Sequence, residues 1–199
     1  MSLAERTKWD ARYRGASPSF TPSAFLAELA ALALLPRRGR GLDLGGGTGG
    51  NALALARRGL DVTLADISPV GLALAHDEAI RTGNSLEIVA LDLSLDPPPA
   101  GPWDVIVQAN YLHRPLFPLY PTLLAPGGLL VVVHPTRTNL VRHAKPSADF
   151  LLDDGELPGL VSSLEIVRHD EAWRDNGRYE AHLIARRPDT VAPRAATSG

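Results

Sequence analysis

The chain has 199 residues, 45% of them hydrophobic, which suits a single globular domain with an ordinary core. A formal net charge of −2 supplies no global field to gather nucleic acid, and the absence of cysteine excludes disulfides and thiolate metal sites. No apolar run reaches transmembrane length and no N-terminal apolar signal core is present, so a cytoplasmic protein that does not engage a membrane is expected.

Residues 1–22 are polar but carry Trp9, Tyr13 and Phe20, too many aromatics for a plain disordered tail. Residues 23–35 predict a helix with Phe25, Leu29 and Leu32 on one face and Pro36 beyond its end. A first strand is expected over 41–44, a helix over 48–58 stopped by Gly59, and a second strand over 62–65 closed by Asp66. Ser68-Pro69 reads as an N-cap with proline in the first turn of a helix that runs to about Arg81 and stops at Gly83. A third strand over 86–90 precedes Asp92, and the proline-rich segment 96–101 leads to a fourth strand over 103–109. A short helix over 116–124, terminated by Ala125-Pro126-Gly127-Gly128, feeds an apolar fifth strand over 129–133. Residues 150–161 suggest a helix broken near Gly155. Residues 164–169 and 179–186 alternate as two antiparallel strands, with Asp175-Asn176-Gly177 as turn residues between them. Apolar strands alternating with helices indicate a parallel sheet buried on both faces, here ending in an antiparallel hairpin.

The most informative segment is Leu42-Asp43-Leu44-Gly45-Gly46-Gly47-Thr48-Gly49-Gly50, on the junction between the first strand and the next helix. A loop without side chains lets a ligand approach the backbone, and the helix N-terminus offers free N–H groups. The glycines alone fit two patterns. Gly45, Gly47 and Gly50 satisfy the dinucleotide fingerprint, whereas Asp43, Gly45, Gly47 and Gly49 satisfy D-x-G-x-G-x-G. A carboxylate at Asp43 would repel a pyrophosphate and attract a cation, which favours a nucleoside with a positively charged arm, such as S-adenosylmethionine.

Three acids follow three strands: Asp43, Asp66 and Asp92. In an open parallel sheet the ligand crevice lies beyond the carboxyl ends of the strands, so all three are expected at one site. Asp66 is spaced to accept two ribose hydroxyls, and Asp92, with Leu93 beside it, to receive an adenine.

With these residues in view, the chain resembles the class I S-adenosylmethionine-dependent methyltransferases, and more narrowly the small tellurite-resistance-like methyltransferases. The matching segments are Trp9-Asp10-Ala11-Arg12-Tyr13, LDLGGGTGGNALALARRG, VTLADISPVGLALA, YLHRPLFP and LLAPGGLLVV. They cover residues 8–135 well and the C-terminal third loosely. The resemblance implies an α/β Rossmann-like methyltransferase fold: a seven-stranded, mostly parallel sheet with helices on both faces and a C-terminal antiparallel hairpin. It implies one domain over 1–187, with 1–22 as an N-terminal lid, and a disordered tail over 188–199. Asp43 and the backbone of Gly45, Gly46, Gly47 and Gly49 would hold the methionine part of S-adenosyl-L-methionine. Asp66 would take the ribose, Asp92 and Leu93 the adenine, and Ala109 and Asn110 would close the site near the sulfonium. Asn51 and Ile67 join the cofactor contacts, and Trp9 and Tyr13 resemble a lid over cofactor and acceptor. Where relatives often carry a Thr-Phe-Thr-like segment after the fifth strand, this chain has His134-Pro135-Thr136, so acceptor identity does not carry over.

The segment Asn110-Tyr111-Leu112-His113-Arg114 borders the expected acceptor pocket. His113 is a candidate base, Arg114 a candidate for orienting an anion, and Tyr111 a third candidate for the chemistry. No histidine–acid pattern at metal-ligand spacing occurs, so no metal is expected. The expected activity is methyl transfer to a small-molecule acceptor such as a thiol, a metalloid oxyanion or an amine, leaving S-adenosyl-L-homocysteine, by a monomer or homodimer. The competing readings are a non-catalytic S-adenosylmethionine-binding protein and a methyltransferase acting on RNA or protein, the latter using a basic rim of Arg137, Arg142 and Lys145. A dinucleotide oxidoreductase would have little room here for a separate substrate domain.

Overall fold

A computed structural model describes residues 3–15 and 17–189. In chain order the elements are α1 (Leu3–Gly15), α2 (Ala24–Ala31), β1 (Arg40–Leu44), α3 (Gly50–Arg57), β2 (Asp61–Asp66), α4 (Pro69–Arg81), β3 (Glu87–Ala90) and β4 (Trp103–Ala109). They continue with a 3-10 helix (Arg114–Leu119), α5 (Tyr120–Leu123), β5 (Leu124–Pro135), two 3-10 turns, α6 (Leu157–Leu160), β6 (Glu165–Trp173) and β7 (Tyr179–Arg186). The seven strands form one sheet in the order β3-β2-β1-β4-β5-β7-β6. The five strands β1–β5 run parallel, and β7 is antiparallel to both β5 and β6. Strand order reverses between β1 and β4, so a crevice opens there beyond the strands' carboxyl ends.

Alternation along the strands feeds two cores, one on each face. Val105, Val107 and Val131 pack with Phe25, Leu29, Leu53 and Leu72 of α2, α3 and α4. Leu42, Leu44, Ile106 and Val132 pack on the other side with Phe117, Tyr120 and Leu157. The predicted fold class therefore holds in full.

Several boundaries differ from expectation for local reasons. The helix expected over 23–35 ends at Ala31, because Ala33 takes a left-handed φ of 57°; Leu26 fills the buried face and Leu32 is exposed. Ser23 caps α2 by accepting from the Leu26 N–H at 3.3 Å. The segment 116–124 splits into a 3-10 helix and the one-turn α5, since Pro115, Pro118 and Pro121 lack the N–H that a continuous α-helix needs. The helix expected over 150–161 reduces to a 3-10 turn at Ala148–Phe150 and α6 at Leu157–Leu160, with Gly155 at a φ of 76° between them. β5 is longer than its apolar run because β7 pairs with it as far as Pro135 opposite Glu180. From residue 190 onward, the tail expected over 188–199 lies outside the described residues.

Candidate active site

The crevice at the β1/β4 switch point is lined by Trp9, Tyr13, Gly45, Asp66, Ile67, Leu91, Leu93, Asn110 and Tyr111. Its floor is the glycine loop, whose entry is fixed by the Gly45 N–H donating to the Ala65 carbonyl at 2.8 Å. Gly45 and Gly47 have φ of 65° and 57°. A Cβ on Gly45 would meet the Tyr111 ring at 2.5 Å, and one on Gly47 would strike the Tyr13 hydroxyl. Both positions therefore need glycine twice over, for conformation and for the close approach of an aromatic ring.

Asp66 ends β2 at the rim and is almost fully buried. Its Oδ2 accepts from the Gly47 N–H at 2.9 Å and its Oδ1 from the Ser68 N–H at 2.8 Å. Burial pushes its carboxyl pKa up, and the amides of Ser68, Gly47 and Ile67 pull the other way. The acid thus ties the glycine loop to the N-terminus of α4 while lining the crevice. Asp43, in contrast, does not line it. It lies fully buried beneath the loop, and Oδ2 accepts from the Ala52 N–H of α3 at 3.0 Å, while Oδ1 has no partner. Burial raises its pKa to about 7. Gly46 and Gly49 also face inward, against Asp43 and against Ala75 and Leu64 respectively. Asn51 accepts from the Ser23 N–H at 2.8 Å and so pins α2 to α3 rather than reaching the crevice. Ala109 is half-buried against the core under α3.

The other wall follows β3 and β4. Leu91 and Leu93 supply apolar surface. Burial works against ionisation of Asp92, but the hydroxyl and amide of Ser94, at 2.6 and 3.0 Å, hold its carboxyl below the usual range. Tyr111 lies over the loop with its hydroxyl buried and without a partner. Burial, then Asp92 and Asp66, push its phenol well above the ordinary range, so it is a hydrogen-bond donor and not a base.

The roof is α1. This helix is polar, and Asp10 is its buried residue. Asp10 Oδ1 accepts from the Ser68 hydroxyl at 2.5 Å, at the cap of α4. Tyr13 rests on Gly71 and reaches Gly47, and Trp9 stacks on Tyr13 with 5.9 Å between ring centroids. Within the segment expected as a lid, α1 packs on α4 and its Trp9 and Tyr13 line the crevice.

The candidates for chemistry do not share one fate. Tyr111 lines the crevice. His113 is not among the lining residues; it sits half-buried at the N-cap of the 3-10 helix, its imidazole held below its usual pKa by burial, with Asp92 pulling upward. Arg114 turns away: Nε and Nη2 hold Glu156 at 2.5 and 2.7 Å, and Nη2 also donates to the Leu151 carbonyl at 3.0 Å. Its guanidinium is spent bracing the segment after β5, which corrects its assignment to anion orientation. His134 is buried, with Nε2 at 2.8 Å from the Phe150 carbonyl and Nδ1 without a partner, and burial lowers its pKa to about 4. Sequence reading missed Leu91, Asp10 and Glu156. Asp10 had a local signal, being flanked by Trp9 and Tyr13, whereas Glu156 had none. Among the described residues no group of three His, Asp or Glu side chains could hold a metal ion, and no helix is long and apolar enough to cross a membrane.

The chain thus joins a glycine loop after the first strand, an acid closing the second, and an antiparallel hairpin at the edge of a parallel sheet. The chain belongs to the methyltransferase-domain family, whose model matches residues 19–177. It is 38% identical over 115 residues to the ribosomal protein L11 methyltransferase of Thermus thermophilus, covering 55% of this chain but only 44% of that relative. Among solved structures it resembles a protein from work on the conversion of a disulfide bond into a thioacetal group during echinomycin biosynthesis, with a TM-score of 0.72, 21% identity and 94% of each chain covered. It also resembles TehB from Haemophilus influenzae, with a TM-score of 0.71 and 19% identity, covering 89% of this chain and 66% of that one. At these identities the structural likenesses carry the fold.

Proposed function

We propose that this enzyme transfers the methyl group of S-adenosylmethionine to a small-molecule acceptor, and that the crevice under α1 holds the cofactor. The observation that carries the site is the Tyr111 hydroxyl, a buried donor with no protein partner, whose ring lies against the glycine loop at Gly45. Bound there, the cofactor supplies an electrophilic methyl on a sulfonium. The Gly45 end of the crevice, beside Asn110, suits its amino-acid tail, Asp66 its ribose hydroxyls, and Leu91, Leu93 and Asp92 its adenine. Asp43 acts from below, by fixing the loop to α3. Tyr13 and Trp9 cover the crevice and exclude water, so that alignment of the acceptor lone pair does most of the work. His113, whose imidazole pKa burial lowers, is the nearest histidine in sequence to Tyr111 and the candidate to take a proton from an oxygen acceptor.

The roof supports a small acceptor, since Trp9 and Tyr13 both line the crevice and stack on one another. Two of the three cations of a possible basic rim are already engaged, Arg137 with Asp153 and Arg142 over the Trp173 ring at 3.8 Å. A protein acceptor is the second reading, favoured by the likeness to the ribosomal protein L11 methyltransferase. Release of S-adenosylhomocysteine should be followed with thiols, metalloid oxyanions, small amines and ribosomal protein as acceptors. Turnover with a small acceptor supports the proposal; turnover with protein alone replaces it by the second reading.

A further inference from the structure

The terminal hairpin reaches back to the crevice through one side chain. Arg178 sits at the end of the turn between β6 and β7, which is closed by Gly177 N–H to the Arg174 carbonyl at 2.8 Å and by Arg178 N–H to the Asn176 side chain at 2.9 Å. From there Arg178 Nη1 donates to Asn110 Oδ1 at 2.7 Å and lies 3.4 Å from Glu180 Oε1. Glu180 is itself buried and held by His182 at 3.1 Å and Asn176 at 3.2 Å. The guanidinium therefore has a fixed seat on the hairpin side.

Asn110 lines the crevice directly after β4 and has a left-handed φ of 56°, a conformation that asparagine tolerates better than most residues. Its N–H is committed to the Val133 carbonyl at 2.8 Å. A carboxamide has one accepting end and one donating end, and a guanidinium only donates. Arg178 therefore decides which way the Asn110 amide faces: the oxygen is turned to the hairpin, and the two N–H donors of this exposed residue, which have no protein partner among the described residues, are left for a ligand. Asn110 neighbours Tyr111, whose ring lies on Gly45, so these donors stand at the glycine-loop end of the site.

We propose that Arg178 is a positioning residue that orients the Asn110 amide to donate to the carboxylate of the cofactor's amino-acid tail. The inference rests on the cofactor placement proposed above. It makes the hairpin, 68 residues further along the chain, part of cofactor recognition.

The test uses two ligands that differ in the tail: S-adenosylhomocysteine, which has it, and 5′-methylthioadenosine, which lacks it. Each is titrated calorimetrically into the full chain. Arg178→Met should weaken S-adenosylhomocysteine about tenfold, as expected for a lost oriented hydrogen bond to a charged group, and leave 5′-methylthioadenosine unchanged. Arg178→Lys, which still only donates, should restore most of the affinity. Should Arg178→Met fail to fold, Arg178→Gln serves instead, since a second carboxamide lets Asn110 flip; the same selective loss is expected. An equal loss for both ligands, or no rescue by lysine, overturns the proposal in favour of a structural role. Asp66→Ala is the control, because both ligands carry the ribose. If it weakens both while Arg178→Met changes neither, the orienting role fails and the site reading stands; if it weakens neither, both fail.

Discussion

The two halves of the sheet solve their polar problems differently. On the parallel side, β3-β2-β1-β4, the buried acids are held by backbone amides: Asp66 by Ser68 and Gly47, Asp43 by Ala52. On the antiparallel side, β5-β7-β6, polar groups are held by other side chains: Arg114 by Glu156, Thr138 by Asp154 at 2.7 Å, Asp170 by Arg174 at 2.6 Å, and Glu180 by His182. Amides at a loop cannot rotate away, so the first arrangement is a rigid ligand seat. Networks of side chains brace the second, and on the proposed account this is the side that faces the acceptor.

The largest effect that would sharpen this contrast comes from the loop itself. Gly47→Val places a β-branched residue at positive φ against the Tyr13 hydroxyl, and cofactor affinity by calorimetry should fall about 100-fold while the far-ultraviolet circular dichroism of the fold persists. Next comes Arg114→Ala on the bracing side. Denaturant unfolding should show a loss of about 1–2 kcal/mol from the stranded, part-buried Glu156, with cofactor affinity unchanged. A large loss of affinity with intact stability would instead return Arg114 to the site. Smaller still is Tyr111→Phe. Removing a buried unpartnered hydroxyl should leave the free protein as stable or more so, by up to about 1 kcal/mol, while weakening the cofactor several-fold.

The smallest expected effect is on pH, because the two halves oppose each other. Asp43 titrates near 7 in the folded chain and near about 4 when unfolded, so the folded state holds the extra proton between those values and stability falls as pH rises through them. His134 titrates near 4 folded and near about 6.5 unfolded, so here the unfolded state holds the extra proton and stability rises over that window. The wild-type stability should therefore change little between pH 4 and 6.5. Asp43→Asn should expose the rising slope and His134→Gln the falling one, in unfolding free energies measured at half-unit pH steps. Slopes of the same sign in both variants would contradict the assignment.

The same contrast explains what the sequence revealed. The glycine run, Asp66 with its Ser68 cap, and the alternation of β1 to β5 are local patterns, and each was readable without coordinates. Arg114 was misread because its partner, Glu156, lies 42 residues away and nothing near either residue marks the pair. Asp43 was placed in the seat because its spacing from Gly45 is that of a ligand-facing acid. Its burial under the loop depends on how α3 turns back over β1, which spacing does not report. The segment after β5 was read as a helix broken near Gly155, and its short turns are held instead by contacts such as the His134–Phe150 hydrogen bond.

Hydrogen exchange of the whole chain with and without S-adenosylhomocysteine tests the central claim most directly. The account predicts new protection across the glycine loop, Ser68, residues 91–93 and α1, on the carboxyl-end rim of the parallel strands. Protection confined to the opposite rim, where Arg40, Gly59, Asn84 and Glu87 line a second hollow, would contradict it.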